Sequence, residues 1–428
     1  MMKNLSLLRF ASTLAILSAA GAAMAADYPP TSRSAVEVDP ALAGVASRVP
    51  EGFVPAGVPV GSFTFLPTLD LSTGYDTNIS ATNSNEKEDW LFIVRPAFQL
   101  KSDWTRHYLA FDSYFQSASY AKYSDADYQN YSFGTQGRID VTEDTEIAGY
   151  ARYSHLNELP GDDETDTGLL DPLPYDETIA GVSLRKEFNR LWTRVSFDFR
   201  DRDYDSWLNG GPTFQDYRDG QTYTAAARVG YNISPLTSVF VDGSYKWYDM
   251  ADADYNASEY GFKTGLQFEP SRLMRGEVYI GYSDWSSDNG FLDDVPNFTY
   301  GGNLAWFVTP LLTATFTAGQ EVLTSNYSFD GIDGSSVLSS EFGVRLDYEL
   351  RRNILLSGWF GYQNQNYEDF PRDDDTFNYG AEVKYLINRY ATAKVNYTYT
   401  DYDTNFNGIN GAESYKRSLV MAGVTLSY

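Results

Sequence analysis

From Gly61 to Tyr428, apolar and polar side chains alternate along segments of about ten to fifteen residues. In 391–400, Ala391, Ala393, Val395, Tyr397 and Tyr399 share one face; Thr392, Lys394, Asn396, Thr398 and Thr400 share the other. Phe377, Tyr379, Ala381, Val383 and Tyr385 oppose Asn378, Gly380, Glu382 and Lys384 in the same way, and 342–350 repeats the pattern with Gly343, Arg345, Asp347 and Glu349 on its polar face. A period of two is the signature of a strand with one apolar and one wet face. About eighteen such segments follow one another, an even number as bacterial outer-membrane barrels require.

The connectors also alternate. Ser102-Asp103-Trp104, Glu143-Asp144, Asn189-Arg190, Ser234-Pro235, Pro270-Ser271, Thr309-Pro310, Arg351-Arg352 and Asn388-Arg389 are short. Residues 76–89, 157–176, 203–219, 286–296, 323–336, 366–375 and 403–413 read as long loops. The predicted fold is therefore all-β: a transmembrane, antiparallel, up-and-down barrel over 61–428, with short periplasmic turns and long extracellular loops. An even strand count places both termini in the periplasm. A propeller would need blade motifs at a fixed period, and a β-helix would need short near-identical repeats; neither is present. Without lipid to cover them, the aromatic faces would form a large wet apolar patch.

Other features agree. Residues 1–25 carry Lys3 and Arg9, an apolar stretch Phe10 to Ala23, and Ala23-Met24-Ala25, as in a cleaved secretory signal. Its removal takes two positive charges from a chain already at −26. Residues 26–60 hold Pro29, Pro30, Pro40, Pro50, Pro55 and Pro59 and read as a periplasmic extension, a partial plug or a linker. Mean hydropathy of −0.39 excludes a helical membrane protein but not a barrel, in which only alternate strand residues face lipid. Tyrosine, at 34 residues, suits membrane interfaces. The last strand alternates Val420, Ala422, Val424, Leu426 and Tyr428, the terminal pattern by which the barrel assembly machinery recognises its clients.

Acidity argues against nucleic acid, which needs a basic footprint. The acids crowd the loops: Glu158, Asp162, Asp163, Glu164, Asp166, Asp171 and Asp176 in one, and Glu368, Asp369, Asp373, Asp374 and Asp375 in another. They read as a solvated surface or as carboxylates that bridge divalent cations to lipopolysaccharide. Strand phase places Arg95, Arg138, Arg152, Arg185, Arg194, Arg200, Arg228, Lys246, Lys263, Arg275, Arg345, Lys384 and Lys394 in the lumen. Fewer acids share it: Asp70, Asp112, Asp140, Asp198, Asp242, Glu277, Asp347, Glu349 and Glu382. A mildly basic lumen follows, either a wall of salt bridges or a basic track for an anionic solute. Tyr114, Tyr150 and Tyr279 share the phase and suit sugar stacking or simple filling.

An enzyme is not expected. The chain has no cysteine and only two histidines. His107 and His155 fall at opposite ends of the barrel, and neither a G-x-S-x-G elbow nor an H-E-x-x-H pair occurs. No cofactor or metal site is expected.

The stretch GSFTFLPTLDLSTGYDTN (61–78) resembles the β-barrel porin 2 family of proteobacterial outer-membrane proteins. The likeness continues in NEKEDW (85–90), LKSDWTRHYL (100–109), YQNYSFGTQGRIDVTEDT (128–145), LMRGEVYIGY (273–282) and FGVRLDYELRRNILL (342–356). Thr77 departs from the family's frequent Asp, and the acidic loop after His155 is particular to this chain. The resemblance implies a barrel tied to exopolysaccharide or capsule loci, with some members serving as exit pores for a polysaccharide chain beside a periplasmic polysaccharide-export protein. The other readings are a general or solute-selective porin and a structural or surface-attachment barrel with a plugged lumen.

Overall fold

Period-two alternation only becomes a stable strand when each backbone finds a partner, and here every long segment does. The computed structural model describes residues 44–162, 170–205, 207–208, 211–212, 218–268, 273–329, 332–406 and 413–428. The expected signal segment and residues 26–43 lie outside them.

The long strands are β1 (Phe63–Asp76), β2 (Asp89–Ser102), β3 (Tyr108–Tyr120), β4 (Tyr128–Thr142), β5 (Thr145–Glu158) and β6 (Leu173–Phe188). Then come β7 (Leu191–Tyr204), β8 (Gly220–Ser234), β9 (Thr237–Met250), β10 (Ala257–Phe268), β11 (Met274–Ser287) and β12 (Val295–Thr309). The last are β13 (Leu312–Phe329), β14 (Ile332–Arg351), β15 (Ile354–Tyr367), β16 (Asp373–Asn388), β17 (Ala391–Thr404) and β18 (Tyr415–Ser427). Each pairs antiparallel with the next. β18 returns to β1, with Leu71 opposite Val424 and Asp76 opposite Leu419. The sheet is thereby a closed eighteen-stranded antiparallel barrel with one extra short strand. Closure of β18 onto β1 leaves neither terminal strand of the sheet as an open edge.

The outer face is apolar. Val182, Val241, Ile280 and Val395 lie exposed along the middle of their strands. Trp90, Tyr131, Tyr153, Trp247 and Tyr260 ring the long-loop end, and Phe188, Tyr231, Trp306, Tyr348 and Tyr385 ring the short-turn end. Two aromatic girdles around an aliphatic band match a lipid bilayer. Val420, Val424, Leu426 and Tyr428 belong to this outer face, and Tyr428 stacks on Tyr390 at 5.9 Å.

Ile280, 54 % exposed at the middle of β11, tests that surface. Ile280→Arg is expected to cost about 2–4 kcal/mol in vesicles, the penalty for a cation at the bilayer midplane. On a water-facing strand it would cost roughly 0.5 kcal/mol or less. Urea unfolding with refolding into lipid measures the difference, and the smaller value would remove lipid from that face.

Three boundaries differ from the sequence reading. β6 starts at Leu173, opposite Glu158, so the acidic loop after β5 is shorter than 157–176. Residues 203–219 include a small ribbon, Trp207–Leu208 with Gly211–Pro212. The expected loop 323–336 is strand, with Thr324 opposite Ser336 and Ser325 opposite Ser335. Ser325, Ser335, Ser336 and Val337 are all buried. A strand buried on both faces has no wet side, so alternation cannot announce it.

Candidate functional site

The inner wall is the surface on which a solute would act. The register puts all twelve cations of the predicted basic track there, opposite in phase to the exposed apolar residues. At least nine of the twelve are ion-paired. Arg138 meets Asp140 at 3.0 Å, Arg152 meets Asp112 at 2.6 Å and Arg185 meets Glu187 at 3.1 Å. Arg200 lies 3.6 Å from Glu177, Lys246 2.7 Å from Glu259 and Arg345 2.9 Å from Asp347. Lys384 is 3.8 Å from Glu382, and Lys394 is 2.8 Å from Asp70. Arg228 bridges two strands, reaching Asp242 at 2.8 Å and Glu277 at 2.7 Å, with its guanidinium 4.0 Å from the Phe240 ring. Lys263 stands over Tyr279 at 4.7 Å, and Arg95 over Tyr114 at 4.4 Å. Among the described residues, Lys263 and Arg275 have no carboxylate within ion-pair distance.

Register gathers part of this set into one row. Arg185, Arg194 and Arg228 sit directly across from one another on β6, β7 and β8. Glu146 on β5 flanks them on one side, and Asp242 on β9 on the other. Like charges directly opposite are destabilising alone; the flanking carboxylates offset them.

The mildly basic lumen expected from sequence is not what the wall presents. Glu146, Glu158, Glu177, Glu187, Glu259, Glu321 and Glu341 also face inward. The same phase that places Arg185 inward places Glu177 and Glu187 there, so alternation itself was the signal for them. Tyr150 donates to Asp198 at 3.0 Å, while Tyr279 packs against Trp192 and Phe240.

The arc from β13 to β17 mixes charged and uncharged polar side chains: Arg345, Asp347, Glu382, Lys384 and Lys394 stand on it, as do Glu321 and Glu341. β13 to β17 turn Thr315, Thr317, Ser339, Gln363, Asn378, Asn396 and Thr398 inward. Gln363 donates to Ser339 at 3.1 Å, and Asn378 to Thr400 at 3.4 Å. Hydroxyls and amides there hydrogen-bond to one another between the ion pairs of Arg345, Lys384 and Lys394.

The two ends differ. At the long-loop end, loop 77–88 turns inward, held by Asn78: its Nδ2 donates to the Thr82 carbonyl at 2.7 Å and to the Lys416 carbonyl at 3.0 Å. Ile79 then packs on Leu91, Tyr120, Tyr128, Leu159 and Leu419. Tyr255, Trp285, Leu292 and Val295 form a second apolar cluster, and Val337, Tyr367, Phe370 and Phe406 a third. At the short-turn end, Val58–Val60 pairs with Phe63–Phe65. Further back along the chain, Val45 N–H donates to the inward-facing Thr313 Oγ1 at 3.0 Å, and Arg48 pairs with Glu349 and donates to the Pro310 carbonyl at 3.1 Å. Residues 44–60 thus run from β1 to the feet of β13 and β14.

The histidines are far apart. His107 accepts from Asp140 N–H at 3.2 Å beside a short turn, whereas His155 meets Asp176 at 2.8 Å and stacks on Tyr131 at the long-loop end. Among the described residues no group of three His, Asp or Glu side chains is arranged to hold a metal ion.

The family model described as "Putative beta-barrel porin 2" matches residues 50–428. The chain belongs to this porin family. It is an outer-membrane, multi-pass β-barrel. No curated protein matches the chain. Among solved structures, a BenF-like porin from Pseudomonas fluorescens Pf-5 is 12% identical with a TM-score of 0.45, over 88% of this chain and 100% of that one. The outer membrane protein OpdK from Pseudomonas aeruginosa is 12% identical with a TM-score of 0.44, over 85% and 99%. The ferric enterobactin receptor PfeA from Pseudomonas aeruginosa is 8% identical with a TM-score of 0.44, over 85% and 80%.

Proposed function

We propose that this porin-family barrel is a passive exit pore for an extracellular polysaccharide, without catalytic or cofactor chemistry. The observation that carries the reading is the composition of the inner wall. Most of its cations are paired with carboxylates, which weakens any field of one sign that would select a small ion. Between the ion pairs it offers the hydroxyls and amides of Thr317, Ser339, Gln363, Asn378 and Thr398, and Tyr114, Tyr150 and Tyr279 add aromatic rings. Polyol rings bind through such hydrogen bonds and apolar ring contacts.

In this reading the short-turn end and both termini face the periplasm. A periplasmic polysaccharide-export protein feeds the polysaccharide chain past residues 44–60. Residues 1–25 are removed on secretion, and the outer-face residues Val420, Val424, Leu426 and Tyr428 engage the barrel assembly machinery. Lipid covers the girdled band, and the acidic loops meet lipopolysaccharide.

A deletion strain is expected to lose secreted polysaccharide and to regain it from a plasmid copy. Unchanged secretion, in a strain with no second copy of the gene, would sink the proposal. The inward loops of the long-loop end favour a second reading, a structural barrel with a permanently plugged lumen. A planar bilayer separates the two: a plugged barrel passes no ion current under any condition.

A further inference from the structure

The wall is not continuous between β12 and β13. Their pairing runs from Thr309 opposite Leu312 to Gly302 opposite Ala318 and stops there. β12 continues to Val295, still paired with β11, and β13 continues to Phe329, still paired with β14. Seven residues of β12, 295–301, therefore have no ladder pairing with β13.

The upper half of β13 has gone inward. Gln320 and Val322 keep the outward phase of Phe316, yet they pack against side chains of the inward phase. Asn297 Nδ2 donates to Gln320 Oε1 at 3.4 Å. Val322 packs on the cluster of Tyr255, Trp285 and Val295. Leu323, on the opposite face of the same strand, packs on Tyr367, Phe370 and Phe406. Residues 320–325 of β13 and 335–337 of β14 are thus held inside the barrel, and this is why the consecutive residues Ser335, Ser336 and Val337 are all buried.

We propose that the upper halves of β13 and β14 form a gate, folded into the lumen in this state, which opens by swinging outward to pair with the free edge of β12. The strands part at Gly301-Gly302 and Ala318-Gly319, where side chains offer little resistance to bending. The partner edge is preformed. Continuing the existing register would set Gly301 opposite Gly319, Thr299 opposite Glu321 and Phe298 opposite Val322. That register returns Val322 to the lipid face beside Phe298 and keeps Glu321 on the lumen side, beside Thr299, as the alternation demands. Pro296 lacks an N–H and suits an edge, so re-pairing extends from Gly301 to Asn297. In exchange, the apolar contacts of the two inner clusters are given up. The gate rests on the barrel alone and holds whether the cargo is a polysaccharide or a small solute.

The chain has no cysteine, so one engineered disulfide is unambiguous. Asn297→Cys with Gln320→Cys joins residues that touch only in the inward state. Thr299→Cys with Glu321→Cys joins residues that meet only in the outward one. In planar bilayers the oxidised first pair is expected to conduct at least threefold less than after reduction, and the oxidised second pair at least threefold more. A smaller change in either pair, or failure of the first pair to cross-link in a barrel that still shows heat-modifiable mobility, overturns the gate. Loss of polysaccharide export with intact gating would instead count against the cargo, not the hinge.

Discussion

Arg228→Leu is expected to make the lumen cation-selective. The guanidinium holds Asp242 and Glu277 together from three different strands and is itself 6 % exposed. Without it, two inward carboxylates lose their shared counter-charge. A preference of about 1 kcal/mol for cations would change the permeability ratio about fivefold. Reversal potentials under a KCl gradient measure it. Arg228→Leu with Asp242→Asn and Glu277→Gln should restore the ratio of the unchanged protein. An unaltered ratio in the single variant would place the ion path away from this arc. The single variant should also be less stable by about 3–5 kcal/mol, as when one partner of a buried pair is removed.

The second large effect lies where the barrel closes. Arg417 on β18 donates to Asp76 on β1 through Nε at 2.9 Å and Nη2 at 2.6 Å, and Asp76 has no exposed surface. Asp76 also accepts from Asn78 N–H at 3.0 Å, tying the inward loop 77–88 to the same junction. Asp76→Asn keeps an acceptor for Asn78 but strands a buried guanidinium, and is expected to cost about 3–5 kcal/mol. Lys416→Ala removes the neighbouring Lys416–Asp401 pair, whose lysine is 67% exposed, and should cost about 1 kcal/mol or less. Urea midpoints of the two variants refolded into the same vesicles make the comparison. Equal losses would mean that the junction is not a stabilising element.

The contrast between these two arginine sites shows what alternation carries. That Arg228 faces the lumen follows from counting by two along β8. That Asp242 and Glu277 meet it follows from the register of β8, β9 and β11, which no single segment displays. The same count places Glu177 and Glu187 in the lumen, where they offset its cations. The hairpin of β13 and β14 was not legible. Its upper half is covered on both sides by clusters built from Val295, Leu292 and Trp285 on one face and Phe370 and Phe406 on the other.

The sequence by itself determined the strand count, the antiparallel succession, the apolar outer face and the inward position of each candidate cation. It did so because one face meets lipid and the other does not, and that asymmetry is written into every second residue. Tertiary structure alone decided where β18 meets β1, which carboxylate neutralises which cation, how Asn83 reaches Glu413 and Tyr415 reaches Gly161 to draw loops inward, and where the wall parts between β12 and β13. Those are contacts between residues remote in the chain, and they depend on closure of the whole sheet rather than on any local pattern.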